Sequence, residues 1–179
     1  ITPRRTIGPT LVPALLLLLP LTAGWAQDAS DAESVLRAEL AAVQDRILFE
    51  RYENNNWELY VMNADGSNPQ NLTQTPTLHE MYPQASRDGA RICFLQDELR
   101  DGETVRSVYY MNADGTGRTL VAENARQPCW SPDGSRIAFV KNEFSRFRIT
   151  DYASKGLFFY DLKTGAITEH PNQEIMHLY

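Results

Sequence analysis

The feature that most restricts this chain is that it copies itself. Arg46-Ile-Leu-Phe49, Arg91-Ile-Cys-Phe94 and Arg136-Ile-Ala-Phe139 follow one another at steps of 45 residues. Met62-Asn-Ala-Asp-Gly66 returns as Met111-Asn-Ala-Asp-Gly115 after 49 residues, and Tyr160 to Gly165 fills the same slot about 50 residues later. Ser86-Arg-Asp-Gly89 returns as Ser131-Pro-Asp-Gly134, again at 45. A fixed period of this length means one structural unit repeated, each copy burying its apolar faces against the next.

The unit is made of strands. Ile47-Leu-Phe49, Leu59-Tyr-Val-Met62, Val108-Tyr-Tyr-Met111 and Leu157-Phe-Phe-Tyr160 are short aromatic and aliphatic runs bounded by Gly, Asp and Pro, and no helical period survives across a copy. The Asp-Gly pairs close tight turns, because Gly accepts positive φ and the Asp side chain bonds nearby backbone. Each copy accommodates four strands: A around Pro-x-Trp-Ser, B at Arg-Ile-x-Phe, C at Tyr-x-Met-Asn, and D around Leu72 or Leu120. Four antiparallel strands per 40–50 residues is the pattern of a β-propeller blade. The expected fold is therefore all-β: a partial β-propeller of about three four-stranded antiparallel blades over residues 46–179. The first blade has no A strand of its own in sequence before Arg46. Propellers typically close with four to eight blades, so the sequence reads as part of a larger ring, with pairing of chains or an open form as the alternatives.

Ahead of the repeats, Arg4 and Arg5 precede the apolar run Leu11–Leu21, and small residues stand at Gly24 and Ala26. Charged, apolar and small-residue regions in that order predict a secretory signal peptide over 1–26; the run is too short to span a bilayer and holds Pro13 and Pro20. The mature protein is expected to be periplasmic or secreted, with no membrane span after cleavage. Residues 27–45 are expected to be a short helical linker: Ser30 and Glu33 have capping-box spacing, and Leu36, Leu40 and Val43 fall on one stripe leaning on the domain edge. The net charge is −6. Without Arg4 and Arg5 the balance is 15 basic against 23 acidic side chains, which excludes the basic footprint of a nucleic-acid binder. Two cysteines are too few for a structural zinc site or a disulfide framework.

Gln127-Pro-Cys-Trp-Ser-Pro-Asp-Gly-Ser-Arg-Ile-Ala-Phe139 resembles the repeat signature of TolB-type, WD40-like propellers, and Leu59–Thr73 is similar to that family's following strand, Asp-Gly turn and Leu-Thr close. The resemblance covers Arg46 onward. The first Trp-containing copy is degraded to Pro83-Gln-Ala-Ser-Arg87, the third Asp-Gly turn is replaced by Asp161-Leu-Lys-Thr-Gly165, an insertion spans roughly Asn142 to Lys155, and the α/β domain that precedes the propeller in TolB has no counterpart. The resemblance implies an exported, non-catalytic scaffold that binds a protein partner, a Pal-like envelope lipoprotein among the possibilities. It also implies two alternatives that place the chain within a longer one: the front propeller of a prolyl-oligopeptidase-type serine peptidase, or a propeller polysaccharide lyase. The Gly-x-Ser-x-Gly nucleophile elbow does not occur in this sequence, and no cofactor is called for.

Alternating strand direction places the A–B and C–D turns on one face, and the B–C and D–A connections on the other. The first set repeats the same turns; the second differs from copy to copy, which is where a rigid scaffold carries recognition. The candidate partner-binding residues are therefore Trp57 in the first B–C loop, and His79, Glu80, Asn124, Arg126 and His170 in the D–A loops. The longer B–C loops are expected at Asp97–Arg106 and Asn142–Lys155. Solvated or packed roles are the expectation for His79, His170 and His177, with a channel-mouth metal as the alternative. Cys93 and Cys129 lie on adjacent copies as two small apolar residues or a disulfide, and Trp130 is expected to pack between blades.

Overall fold

The computed structural model describes residues 23–142 and 154–174. A single helix, α1 (Ala23–Ala41), is followed by eleven strands. The helix begins well before Ser30, with Gly24 in its first turn and no proline across Ala23–Ala29, so Ser30 lies inside it and does not cap it. Its last turn tightens through Ala42 N–H and Val43 N–H bonds to the carbonyls three residues back. Leu36 and Val43 are exposed rather than laid against the sheets, which corrects the expected docking of that stripe. The residues before Ala23, most of the expected signal peptide, lie outside the described residues.

The strands form three antiparallel sheets. The first holds β1 (Arg46–Glu53), β2 (Asn56–Asn63) and β3 (Gln70–Asn71); the second β4 (Leu78–Ala85), β5 (Arg91–Arg100), β6 (Glu103–Asn112) and β7 (Thr119–Glu123); the third β8 (Ala125–Trp130), β9 (Arg136–Asn142), β10 (Ser154–Asp161) and β11 (Ile167–Glu169). Each is an up-and-down meander in sequence order. The first sheet is B–C–D only, so β1 is left as an edge, as the repeat pattern predicts. The inner strands converge: both β1 and β8 approach β4.

Between the first and second blades, Leu59, Ile92, Phe94 and Met111 form a buried cluster that Leu48, Leu72 and Tyr109 complete. Between the second and third, Cys93, Leu95, Val108, Val121, Ala125, Ile137, Phe139 and Tyr160 do the same. Alternate residues of β5 thus serve opposite faces, Phe94 toward one neighbour and Cys93 and Leu95 toward the other. This explains why the strands lack clean polar alternation: both faces of a blade are covered.

One device recurs in every blade. The B-strand Phe and its directly opposite C-strand aromatic stack: Phe49 with Tyr60 at 5.7 Å, Phe94 with Tyr109 at 5.9 Å, and Phe139 with Phe158 at 5.8 Å between ring centroids. A cation covers each pair. Arg51 lies 5.5 Å from Tyr60 and Lys141 4.7 Å from Phe158, each two residues beyond its Phe. In the second blade that position is Gln96, and Arg118 arrives from the C–D turn instead, 5.1 Å from Phe94 and 5.7 Å from Tyr109.

Candidate functional site: the face of unlike connections

The two ends of the blades are built differently. At one end, every turn satisfies itself. Asp65 Oδ1 accepts from Ser67 N–H and Oγ–H, Asp114 Oδ1 from Thr116 in the same way, and Asn63 and Asn112 each donate to the same hydroxyl at 3.0 Å. Ser86 donates to Asp88 and Ser131 to Asp133, both at 2.6 Å. These bonds, and those that Asp161 accepts from the Thr164 amide and hydroxyl, hold the carboxyls of Asp65, Asp88, Asp114 and Asp161 below the usual range, and that of Asp133 at about 2. Turn chemistry accounts for these side chains.

At the other end the connections differ. The first two expected B–C loops are tight hairpins. Asn54 and Asn55 both take positive φ, 52° and 62°, and join β1 to β2 in two residues; Asp101 and Gly102, at 52° and 80°, join β5 to β6. Asp97 and Arg106 are therefore not loop residues. They face each other across the ladder and form a two-pronged ion pair with both contacts at 2.7 Å. Their polarity hid a strand extension from the sequence reading. Leu99 stands at the tip of this hairpin, 70% exposed. Of the third B–C connection, residues 143–153 lie outside the described residues.

The D–A residues also move. His79 and Glu80 belong to β4 and Arg126 to β8, so the A strands begin earlier than expected. Only Asn124, at φ 53°, separates β7 from β8. Glu80 is fully buried and Arg126 nearly so, which removes both from the solvent-facing surface that their sequence positions suggested. Glu80 accepts from Thr75 Oγ1 at 2.6 Å and from Arg118 at 2.5 Å. Burial nevertheless pushes its carboxyl above the usual range. Thr75 also donates its N–H to Glu58, at 2.9 Å, while Thr73 Oγ1 donates to the other Glu58 oxygen. The 72–77 connection is thus stitched down by two buried carboxylates.

Trp57 and His79 come together at the seam between the first two blades: Trp57 N–H donates to His79 Nδ1 at 3.3 Å. Trp57 lies on β2, half-buried, its ring 5.1 Å from that of Tyr52. His170 sits past β11 on the third blade, where its N–H donates to Leu157 O and its ring meets Phe159 edge-on at 6.2 Å. His177 lies outside the described residues, among which no three His, Cys, Asp or Glu are grouped to hold a metal ion. Cys93 and Cys129 are both free. Cys129 pairs with Ala138, one step out of phase with the Ile137 and Phe139 that face Cys93. Trp130 does pack between blades, its Nε1–H donating to Gln84 O at 3.0 Å.

Two features escaped the sequence reading. Both complete A strands carry a bulge, between Met81 and Gln84 and between Arg126 and Cys129, and in each the residue before a proline takes positive φ: Tyr82 at 54° and Gln127 at 53°. A bulky residue in this region is strained, and bulges re-aim side chains. Tyr82 stands 60% exposed on this inner strand, and its N–H donates to Glu50 Oε2 at 2.5 Å. The repeated Tyr-Pro and Gln-Pro dipeptides were the available signal. Separately, a cavity of about 430 Å³ lies beside β1, lined among others by Arg46, Leu48, Ala85 and Ile92.

No family model matches the sequence, and no curated protein matches it. Solved structures do. A putative TolB from Agrobacterium tumefaciens superposes with a TM-score of 0.52 at 18% identity, over 69% of this chain and 44% of that one. This is a segment of a β-propeller. A structure of a nidogen/laminin complex superposes at 0.50 with 11% identity, over 71% of this chain and 44% of that one. TolB from Acinetobacter baumannii is also similar, at 13% identity and a TM-score of 0.45 over 78% of this chain and 45% of that one. The propeller segment thus spans less than half of each of these chains, and at such identities the likeness is one of fold. Among the described residues of the propeller segment and its leading helix, no helix is long and apolar enough to cross a membrane.

Proposed function

We propose that this chain is an exported β-propeller scaffold that binds a protein partner of the cell envelope through the face carrying the B–C hairpins and D–A connections, and that the residues shown catalyse nothing. The observation that carries the reading is the contrast between the two ends of the blades. One end repeats self-satisfied Asp turns; the other presents unlike side chains, including Tyr52, Tyr82 and Leu99, on rigid two-residue hairpins and a strained bulge. A rigid scaffold with one varied rim suits recognition rather than fold maintenance. The resemblance to TolB-type repeats favours an envelope partner, a Pal-like lipoprotein included.

Site-specific photo-crosslinking in the exported protein tests it. A crosslinker at Leu99 or Tyr52 should capture a discrete partner, and one at Arg87 or Lys163 on the turn face should not. Equal capture from both faces overturns the reading. Export itself predicts a mature N-terminus at Gln27 by terminal sequencing; an intact leader on the secreted chain contradicts it.

A further inference from the structure

The seam between the first two blades has a chemistry that names its ligand. Glu50 and Tyr52 lie two apart on β1 and so share a face, opposite Leu59 and Trp57 on β2. Leu59 is buried against the second blade, so this face looks toward β4, where His79 and Tyr82 stand. Glu50 Oε2 accepts from the Tyr82 amide. Among the described residues no Lys, Arg or His forms an ion pair with Glu50. The adjacent Arg51 is on the opposite face, against Tyr60 and Glu53. Beside this half-buried carboxylate, Tyr52 is 53% exposed and pairs with the Trp57 ring, and the 60% exposed Tyr82 is held in its strained conformation.

A carboxylate without an ion-pair partner, on one face with the exposed Tyr52 ring and bonded to the backbone of the exposed Tyr82, favours a cation: aromatic rings present electron-rich faces and the carboxylate supplies the charge-assisted hydrogen bond. Planar guanidinium satisfies both demands better than a compact ammonium. The net charge of −6 steers basic ligands toward the chain. We propose that Glu50, Tyr52, Trp57 and Tyr82 form a receptor for an arginine side chain presented by an extended segment of the partner. This rests on the partner-binding reading above and gives it a ligand chemistry.

The test is calorimetric titration of the whole chain with a capped Gly-Arg-Gly-Arg-Gly peptide and with the same peptide carrying citrulline, the uncharged isostere. The arginine peptide should bind at least about tenfold more tightly than the citrulline one, the scale of a lost charge-assisted contact. Glu50→Gln and, independently, Tyr52→Ala should each weaken the arginine peptide by about fivefold or more, with little change for citrulline. Tyr52→Ala removes an exposed ring and so keeps the test clear of folding effects. Glu169→Gln, an exposed acid on β11, should leave binding intact. Equal affinity for the two peptides, an equal loss in Glu169→Gln, or no binding at all overturns the arginine receptor. If photo-crosslinking still captures a partner from this face in that case, the binding face stands and only the ligand chemistry falls.

Discussion

Tyr82 and Gln127, 45 residues apart, hold the same left-handed backbone, φ 54° and 53°, at the same bulge of successive inner strands, each immediately before a proline. The chain repeats a strained conformation with two unrelated side chains. The strain therefore belongs to the blade design, and the side chain it displays is the variable part.

That separation predicts an order of stabilities. A left-handed residue other than Gly costs roughly 1–2 kcal/mol, and more if β-branched. Tyr82→Gly should fall within about 1 kcal/mol of the parent in urea denaturation, since relieved strain offsets added chain entropy. Tyr82→Val should be less stable than either. A Val variant as stable as the Gly one would mean that the bulge relaxes and stores no strain.

Glu80 makes stability depend on pH in an unusual direction. Its carboxyl is shifted up by burial, so the folded chain holds that proton more tightly than the unfolded chain. The corresponding stabilisation is complete below the ordinary glutamate range and is lost as pH rises through the folded value. Glu80→Gln cannot lose that proton. The denaturation midpoint of the parent relative to Glu80→Gln should decline as pH rises above the ordinary range. Glu80→Ala, which leaves Arg118 beside an empty site, should cost about 2–4 kcal/mol at neutral pH. Parallel pH profiles for parent and Gln variant would show that Glu80 titrates normally.

Two glycines at the same place in successive C–D turns separate conformation from contact. Gly66 and Gly115 have similar φ, 82° and 86°. A Cβ on Gly66 would meet nothing within 4 Å, whereas one on Gly115 would lie 2.5 Å from the Leu72 carbonyl oxygen of the preceding blade. Gly66→Ala should cost about 1–2 kcal/mol for the backbone alone. Gly115→Ala should cost clearly more, about 3 kcal/mol or above, because backbone must move. Thermal melts of the two variants check this, and equal losses would place the Gly115 turn away from β3.

Asp133 supplies the opposite pH dependence. Hydrogen bonds from Ser131 and Ser135 hold its carboxyl at about 2. The folded state favours the charged form, so its contribution is present above the ordinary aspartate value and disappears as pH falls toward about 2. Because the site is exposed, the readout is local: Asp133→Ala should speed hydrogen exchange at the Ser135 amide while amides of β5 are unchanged. No change at Ser135 would remove the turn as a cause.

The blade pattern was legible because Asp-Gly turns and Arg-Ile-x-Phe strands each answer a local demand, one of turn geometry and one of two-sided burial. Even the missing A strand of the first blade could be read. The ends of strands near the varied face could not. His79-Glu80 and Ala125-Arg126 look like loop because they are polar, yet they lie in strands: Glu80 is held through Oε1 by Thr75 and Arg118 while its Oε2 has no hydrogen-bond partner, which no local pattern reveals. Asp97 and Arg106 conceal a hairpin extension for the same reason, being nine residues apart and opposite. The exposure of Tyr52 and Tyr82 has no local signature, because it depends on which neighbouring blade reaches them. The helix extends ahead of its apparent cap because the single Gly24 falls in the first turn, where it does not stop a helix.

The ring-stacking cations have a lesson for reading relatives. Arg51 and Lys141 sit at one repeat position, and Gln96 occupies it in between, so a column-by-column comparison would score the middle copy as having lost its positive charge. Arg118 shows that the charge has instead been re-sourced from 22 residues downstream. What persists from copy to copy is a location in space, and descent in such repeats is better traced by where a group ends up than by where it is encoded.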